Sequence, residues 1–298
     1  MQRTISLDPP PDLRLLLNRL NGGLGHPTRK NTPTQAWRAS RTPEGPATLR
    51  LELEGTHITA TAWGPGAEWS LEQLPGLLGA ADDPDGFPTN DHRLMRELKG
   101  RFRGLRIART ERVHEAIVPI ILGQVVTTKE AHRAERALNK AHGEAAPGPE
   151  PLWLQPSPEV LGRLSHEDYH PLGIGRNKAQ LIIEVSRRAS RLEEIAAMST
   201  EDAERRLRAV RGIGPWSSAL VMSEALGDPD AVPVGDYHLP NTVAWALAGE
   251  ARATDRRMLE LLEPYRPHRY RAALMIKLSG IGAPKYGPRT PVRSFAQF

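Results

Sequence analysis

The sequence contains no cysteine among its 298 residues, which excludes disulfides, thiolate zinc sites and cysteine-held iron–sulfur clusters. No apolar stretch approaches the ~20 residues that a membrane span requires, and no signal-peptide pattern opens the chain. These absences lead to the expectation of a cytoplasmic protein that engages no membrane. There is also no internal repeat with a period of roughly 20–50 residues. A hydrophobic content of 39% is enough for a folded core, and the length suggests about two domains.

Acidic residues are missing from one long stretch. Residues 264–298 hold seven Lys/Arg and no Asp or Glu. Residues 96–112, RELKGRFRGLRIARTER, hold seven Lys/Arg against two Glu. The rest of the chain carries 26 basic and 33 acidic residues, so it is net negative although the whole is +5. Two basic segments on an acidic body read as an electrostatic footprint for a polyanion, or more plainly as solvated arginine-rich surface.

The first part of the chain mixes signals. QRTISL alternates like a strand, PPDLRLLLNRLNG reads as a helix, TLRLELEGTHITATAWG as a hairpin and SLEQLPGLLGA as a short helix. This predicts a small α+β domain over residues 1–90. From 91 to 298 nearly every segment has three- and four-residue apolar spacing, which predicts an all-α domain with a basic C-terminal tail. RVHEAIVPIILGQVVTTKEAHRAERALNKAHG reads as one helical stretch, and 144–159 as a proline-rich connection inside the bundle.

Within that region GIG occurs three times, at 173–175, 212–214 and 280–282, and only the middle copy sits between two convincing helices. A helix capped by Ser199 or Thr200 is expected to end at Arg211, and another to begin near Pro215. Gly212 and Gly214 supply permissive backbone where the chain reverses. Such a turn exposes its amides beside a helix N-terminus and can take a phosphodiester without regard to base sequence. An ordinary helix corner is the plainer alternative. The loop VPVGDYH follows at 232–238 and places one carboxylate, Asp236, before a helix starting near Pro240, where capping is its plainer role.

GIG and VPVGDYH together are far more specific than either half. The sequence resembles the helix–hairpin–helix (HhH-GPD) superfamily of DNA glycosylases, and within it the 3-methyladenine DNA glycosylase II (AlkA-type) branch. The likeness extends over most of the chain: the N-terminal α+β segment, AIVPIILGQVVTTKEA, GIGRNKAQLI, the hairpin, the aspartate loop and YRPHRYRAALMIK.

The resemblance implies excision of damaged bases, alkylated purines foremost, from double-stranded DNA by hydrolysis of the N-glycosidic bond. It implies that Asp236 stabilises positive charge on the sugar or directs the attacking water. Members that also cut the strand carry a lysine shortly after the hairpin; the matching residue here is Trp216, so a monofunctional enzyme is expected. Trp216 and Tyr237 would face the extruded base, with core packing the alternative for Trp216. Leu220 and Lys277 stand where that branch carries pocket aromatics, and Lys277 would point either into the pocket or out to phosphate. Arg211, Gly212, Ile213, Gly214 and Ser217 would hold the DNA backbone. Gln124 and Val125 would form the wedge that fills the vacated stack, unless Val125 is buried in its helix. No cofactor is expected, although a monovalent cation at the hairpin carbonyls stays open, and the protein is expected to be a monomer. A non-catalytic DNA-binding protein and a bifunctional glycosylase/lyase using Lys277 are the competing readings.

Overall fold

The computed structural model describes residues 1–18 and 26–284. The N-terminal part is a five-stranded antiparallel sheet of β1 (Gln2–Ser6), β2 (Arg29–Asn31), β3 (Gln35–Thr42), β4 (Gly45–Glu54) and β5 (His57–Trp63), in the order β1-β5-β4-β3-β2. The EGTH signal is a true hairpin: Glu54 pairs with His57, and Gly55 at φ +60° makes the intervening turn. Along β5 the side chains alternate, with Ile58, Ala60 and Ala62 buried and their neighbours outward. Onto that face pack α1 (Leu13–Asn18), α2 (Ala67–Glu72) and α3 (Leu74–Leu77), through Leu13, Leu16, Leu17, Leu71, Leu74 and Leu77. The expected single helix over SLEQLPGLLGA is therefore two short ones. Pro75, which cannot donate an amide, falls in the first turn of the second.

Among the described residues the remainder is almost entirely helical: α4 (Arg93–Arg101), α5 (Val113–Gly123), α6 (Thr128–His142), α7 (Pro158–Arg163), α8 (His166–Tyr169), α9 (Arg176–Arg187), α10 (Ala189–Glu193), α11 (Thr200–Arg208), α12 (Pro215–Val221), α13 (Leu239–Ala248), α14 (Asp255–Leu262) and α15 (Arg269–Ser279). A π-helical turn, Met222–Leu226, extends α12 to Gly227. This small α+β part followed by a helical part is the fold class the sequence implies.

Two helical cores stand side by side. One gathers α5, α9, α11 and α12 around Ile117, Ile121, Ile182, Val185, Leu207 and Val221. The other gathers α4, α13, α14 and α15 around Met95, Val243, Met258, Leu262 and Ile276. The loop from Gly227 to His238 leaves the first core with α12 and enters the second with α13.

Several expectations change. The helical stretch 112–143 is interrupted by Gln124–Thr127, and α6 restarts with a capping box of Thr127 and Glu130. The connection at 144–159 contains a short hairpin, β6 (Glu144–Ala145) and β7 (Trp153–Leu154). Leu152 and Leu154 pack on Trp37 and Ala39 of the sheet, so the connection does not lie inside the bundle. The helix before GIG ends at Arg208 instead of Arg211.

Part of each basic segment is engaged within the fold, while Arg96, Arg101, Arg103, Arg109, Arg266 and Lys277 are exposed. Arg106 is buried, donating to the carbonyls of Gly79 at 3.2 Å and Pro9 at 3.4 Å. Arg112 pairs with Glu193 at 3.3 Å, and Arg109 with Glu111 at 2.9 Å. In the second segment Arg269 grips Asp230, while buried Arg271 pairs with Asp82 and donates to the Leu105 carbonyl at 2.9 Å. Residues 285–298, with Lys285, Arg289 and Arg293, lie outside the described residues. Charge counted along a chain does not register which guanidinium groups turn inward.

Candidate active site and nucleic-acid face

Ser199 caps α11, its Oγ accepting the Asp202 amide at 3.2 Å. After Arg208 the chain tightens: the Val210 amide donates to the Leu207 carbonyl, and the Ile213 amide to the Val210 carbonyl, at 3.1 and 3.0 Å. Ile213 is buried in the α5 core, which fixes the turn, while Arg211 is exposed. Gly212 has φ +100°, so its conformation requires glycine; a Cβ there would press only on the tip of Leu181, 2.9 Å away at Cδ2. Gly214 differs. Its φ of −92° suits any residue, and a Cβ would meet nothing within 4 Å. Among the described residues, no group accepts the amides of Gly212, Gly214, Trp216 and Ser217. The first α12 amide with an acceptor is Ser218, on the Gly214 carbonyl at 2.9 Å.

Gln124 ties the end of α5 to this hairpin, its Nε2 donating to the Gly212 carbonyl at 3.0 Å and to Ser217 Oγ at 2.9 Å. Val125 follows, fully exposed and at φ +52°. A β-branched residue in left-handed backbone is a rare and strained state. The alternative that Val125 packs inside a helix is therefore ruled out.

Asp236 is half-buried at the crossing between the two helical cores. Its Oδ1 accepts the amides of His238 and Leu239, both at 2.9 Å, and its Oδ2 accepts Trp216 Nε1 at 3.2 Å. The residue does cap α13, but with one oxygen; the other faces the hairpin helix. Supports hold the loop at each end. Gly235, at φ +93°, donates its amide to Asp255 Oδ1 at 3.2 Å. Asp230 accepts from Arg269 Nε at 2.9 Å, Nη2 at 2.6 Å and the Arg269 amide at 3.0 Å.

Trp216 lies between two glycines. A Cβ at Gly123 would stand 3.5 Å from its ring, and one at Gly235 4.0 Å from its Cβ. The half-buried ring packs on the α5 core, and its N–H orients the carboxylate. Tyr237 is 87% exposed, edge-on to His238 with ring centroids 4.8 Å apart. Leu220 packs half-buried on the α5 core, and Lys277 is exposed near the end of α15 without bonding to these groups. The structure thus brings together Gln124, Gly212, Ser217, Trp216 and Asp236, and leaves Leu220 and Lys277 apart from that network.

Sequence reasoning missed the Trp216–Asp236 bond, Asp255, Asp230 and Lys178. Lys178 donates from α9 to the Leu122 carbonyl at 2.8 Å, and burial lowers its amine to about 8. Only the three-dimensional fold could show these pairings. No cluster of three potential His, Asp or Glu metal ligands occurs among the described residues. A cavity of about 360 Å³ lined by Phe87, Arg96, Lys99, Arg103, Arg271 and Met275 shares no lining residue with the site.

No protein-family model matches the chain. It is 27% identical over 214 residues to the DNA-3-methyladenine glycosylase of Bacillus subtilis, covering 68% of this chain and 70% of that protein. It is also 27% identical over 168 residues to YfjP of the same organism, provisionally named a DNA-3-methyladenine glycosylase. That match takes in 55% of this chain but only 58% of the relative. The fold superposes on the 3-methyladenine DNA-glycosylase of Archaeoglobus fulgidus with a TM-score of 0.78, at 21% identity over 92% of this chain and 96% of that one. The fold that carries the hairpin and the aspartate loop is that of the helix–hairpin–helix glycosylases. By sequence the chain is similar to glycosylases of the AlkA-like type.

Proposed function

We propose that the protein is a monofunctional DNA glycosylase, hydrolysing the N-glycosidic bond of damaged bases, alkylated purines foremost, after they rotate out of duplex DNA. The observation that carries this reading is the carboxylate of Asp236, fixed on one oxygen by two helix amides and on the other by the Trp216 indole. A cap alone has no need of the second bond.

In this reading the free amides of the hairpin hold one phosphate, and the empty space at Gly214 is where the backbone of DNA approaches. Val125 enters the stack as the target leaves it. Asp236, held so that it need not reorganise, offsets positive charge growing on the sugar and directs water to C1′. Trp216 and exposed Tyr237 offer ring faces to a cationic alkylated base. The hairpin position carries an indole instead of an amine, which favours hydrolysis without a lyase step. No prosthetic group enters the scheme. A monovalent cation at the hairpin would have to share the Gly212 carbonyl with Gln124.

The test is to incubate purified protein with duplexes that each carry one defined lesion, scoring base release and strand cutting with and without alkali. Release that exposes an alkali-labile site, and disappears in Asp236→Asn, supports the reading. Duplex binding with no release from any lesion would favour a non-catalytic DNA-binding protein, and cutting without alkali a lyase.

A further inference from the structure

Residues Val113–His142 have the pattern of one helix, yet the chain breaks at Gln124–Thr127 and turns Val125 outward. In a continuing helix the Leu122 carbonyl would accept the amide of Val126. Here it accepts Lys178 Nζ instead, at 2.8 Å. An acceptor left over at a helix end is commonly satisfied by a lysine, but this lysine reaches over from another helix and is half-buried. It takes the place of the amide that would carry α5 onward.

We propose that Lys178 is a positioning residue for base extrusion: by occupying the Leu122 carbonyl it holds the break that presents Val125 to the DNA stack. The strain at Val125 needs such a hold. A valine at φ +52° is strained, so the loop persists only where its surroundings over-determine it. Three supports surround it: Lys178 on the last turn of α5, Gln124 on the hairpin, and the Thr127–Glu130 box that starts α6. Gln124 and the box are local to the loop. Lys178 alone comes from α9, so it ties the wedge to the α5–α9 core.

The inference rests on the proposed function, and its test separates the two. Single-turnover release is measured for Lys178→Met, which keeps the apolar stem and loses the donor. Two substrates are used: a paired duplex, and the same strand with the target opposite a one-nucleotide gap, where extrusion costs less. Release from the paired duplex should slow roughly tenfold, equivalent to about 1.4 kcal/mol of transition-state stabilisation. Release from the gapped substrate should slow less than about threefold, because the wedge has less to replace. In a Val125→Ala background Lys178→Met should add little, and Lys178→Arg should keep most of the activity. Equal slowing on both substrates, or losses that add in the double variant, would overturn the proposal.

Should Lys178→Met fail to fold, Val125→Gly reads the same loop without its strain. It should hold or raise the melting temperature while paired-duplex release falls; unchanged release overturns the proposal. If the wild type releases no base at all, the proposed function fails by itself. The brace is then read from 2-aminopurine fluorescence in bound duplex, which needs no chemistry. Equal fluorescence with wild type and Lys178→Met overturns it, and a lower signal with the variant supports it.

Discussion

The Gly212–Gly214 hairpin and the Gly235–Asp236 loop differ in what they ask of their residues. The hairpin offers backbone amides, which every residue but proline possesses, so its needs are conformational and spatial. The loop offers one side chain, whose two oxygens are committed in different directions. A contact made by backbone is weakened by crowding, whereas one made by a carboxylate is lost by a change of charge. Even within the hairpin the two glycines differ, since the fold requires Gly212 and leaves open space at Gly214.

The largest effect tests the side-chain half. Asp236→Asn should lower base release by about two or more orders of magnitude, the scale for losing a preorganised electrostatic group. Duplex affinity should stay the same or tighten, because a negative charge near phosphate is gone. Full activity in a folded variant, scored by single-turnover release, would remove Asp236 from the chemistry.

The next test splits the glycines. Gly212→Ala should cost about 1–3 kcal/mol of stability from strained backbone, to be read by denaturant melts. Gly214→Ala should melt within about 1 kcal/mol of wild type. It should nonetheless bind every duplex roughly tenfold or more weakly, the scale for losing a hydrogen bond to a charged group. A Gly214→Ala protein that binds normally would mean that the DNA backbone does not approach this amide.

A smaller effect concerns exposed Arg211. Arg211→Ala should reduce the slope of log affinity against log salt by about 0.9, the value of one phosphate contact. An unchanged slope would leave the hairpin gripping through amides alone. This variant matters because Arg106, Arg112, Arg269 and Arg271 are engaged within the fold and cannot supply that slope.

The smallest effect lies in the scaffold and should leave the comparison untouched at neutral pH. His114 on α5 is buried against Ser186 Oγ at 2.9 Å, and burial pushes its imidazole down to about 4. Between pH 6.5 and 4 the unfolded chain binds the proton and the folded chain resists it, so stability falls as pH drops through that window. Buried His26, also lowered by burial, works in the same direction. Melts of His114→Gln should show a flatter acid limb than wild type; an identical limb would exclude His114 as its source.

The hairpin and the VPVGD loop were legible in the sequence because each imposes a backbone demand that glycine and proline meet. The α+β to all-α order was legible for a related reason, the change from alternating to helical spacing. The break at Gln124 was not. Local periodicity favours continued helix through Val125, and the groups that end it, Lys178 and the Gly212 carbonyl, are distant in sequence. Which guanidinium groups of the basic segments turn inward was hidden for the converse reason, since ion pairing with Glu193 or Asp82 is invisible in a charge count. The role of Trp216 required its indole N–H to be seen beside a carboxylate twenty positions away.

Helix α5 is pinned at both ends. At its start, Glu193 accepts the Val113 and His114 amides at 2.9 and 3.0 Å, and Glu115 accepts from Ser40 Oγ at 2.9 Å and Arg38 Nη2 at 2.9 Å on the sheet. At its finish, Lys178 and Gln124 hold the turn that carries Val125. The helix is therefore a ruler with a phase as well as a length. One residue inserted between Glu115 and Leu122 would advance Val125 by about 1.5 Å and swing it by about 100° around the axis. Such a chain could keep its core, its hairpin and its aspartate and still present the wrong face to the duplex. The N-terminal sheet, far along the chain from Asp236, thereby sets the zero of the scale on which Val125 is placed.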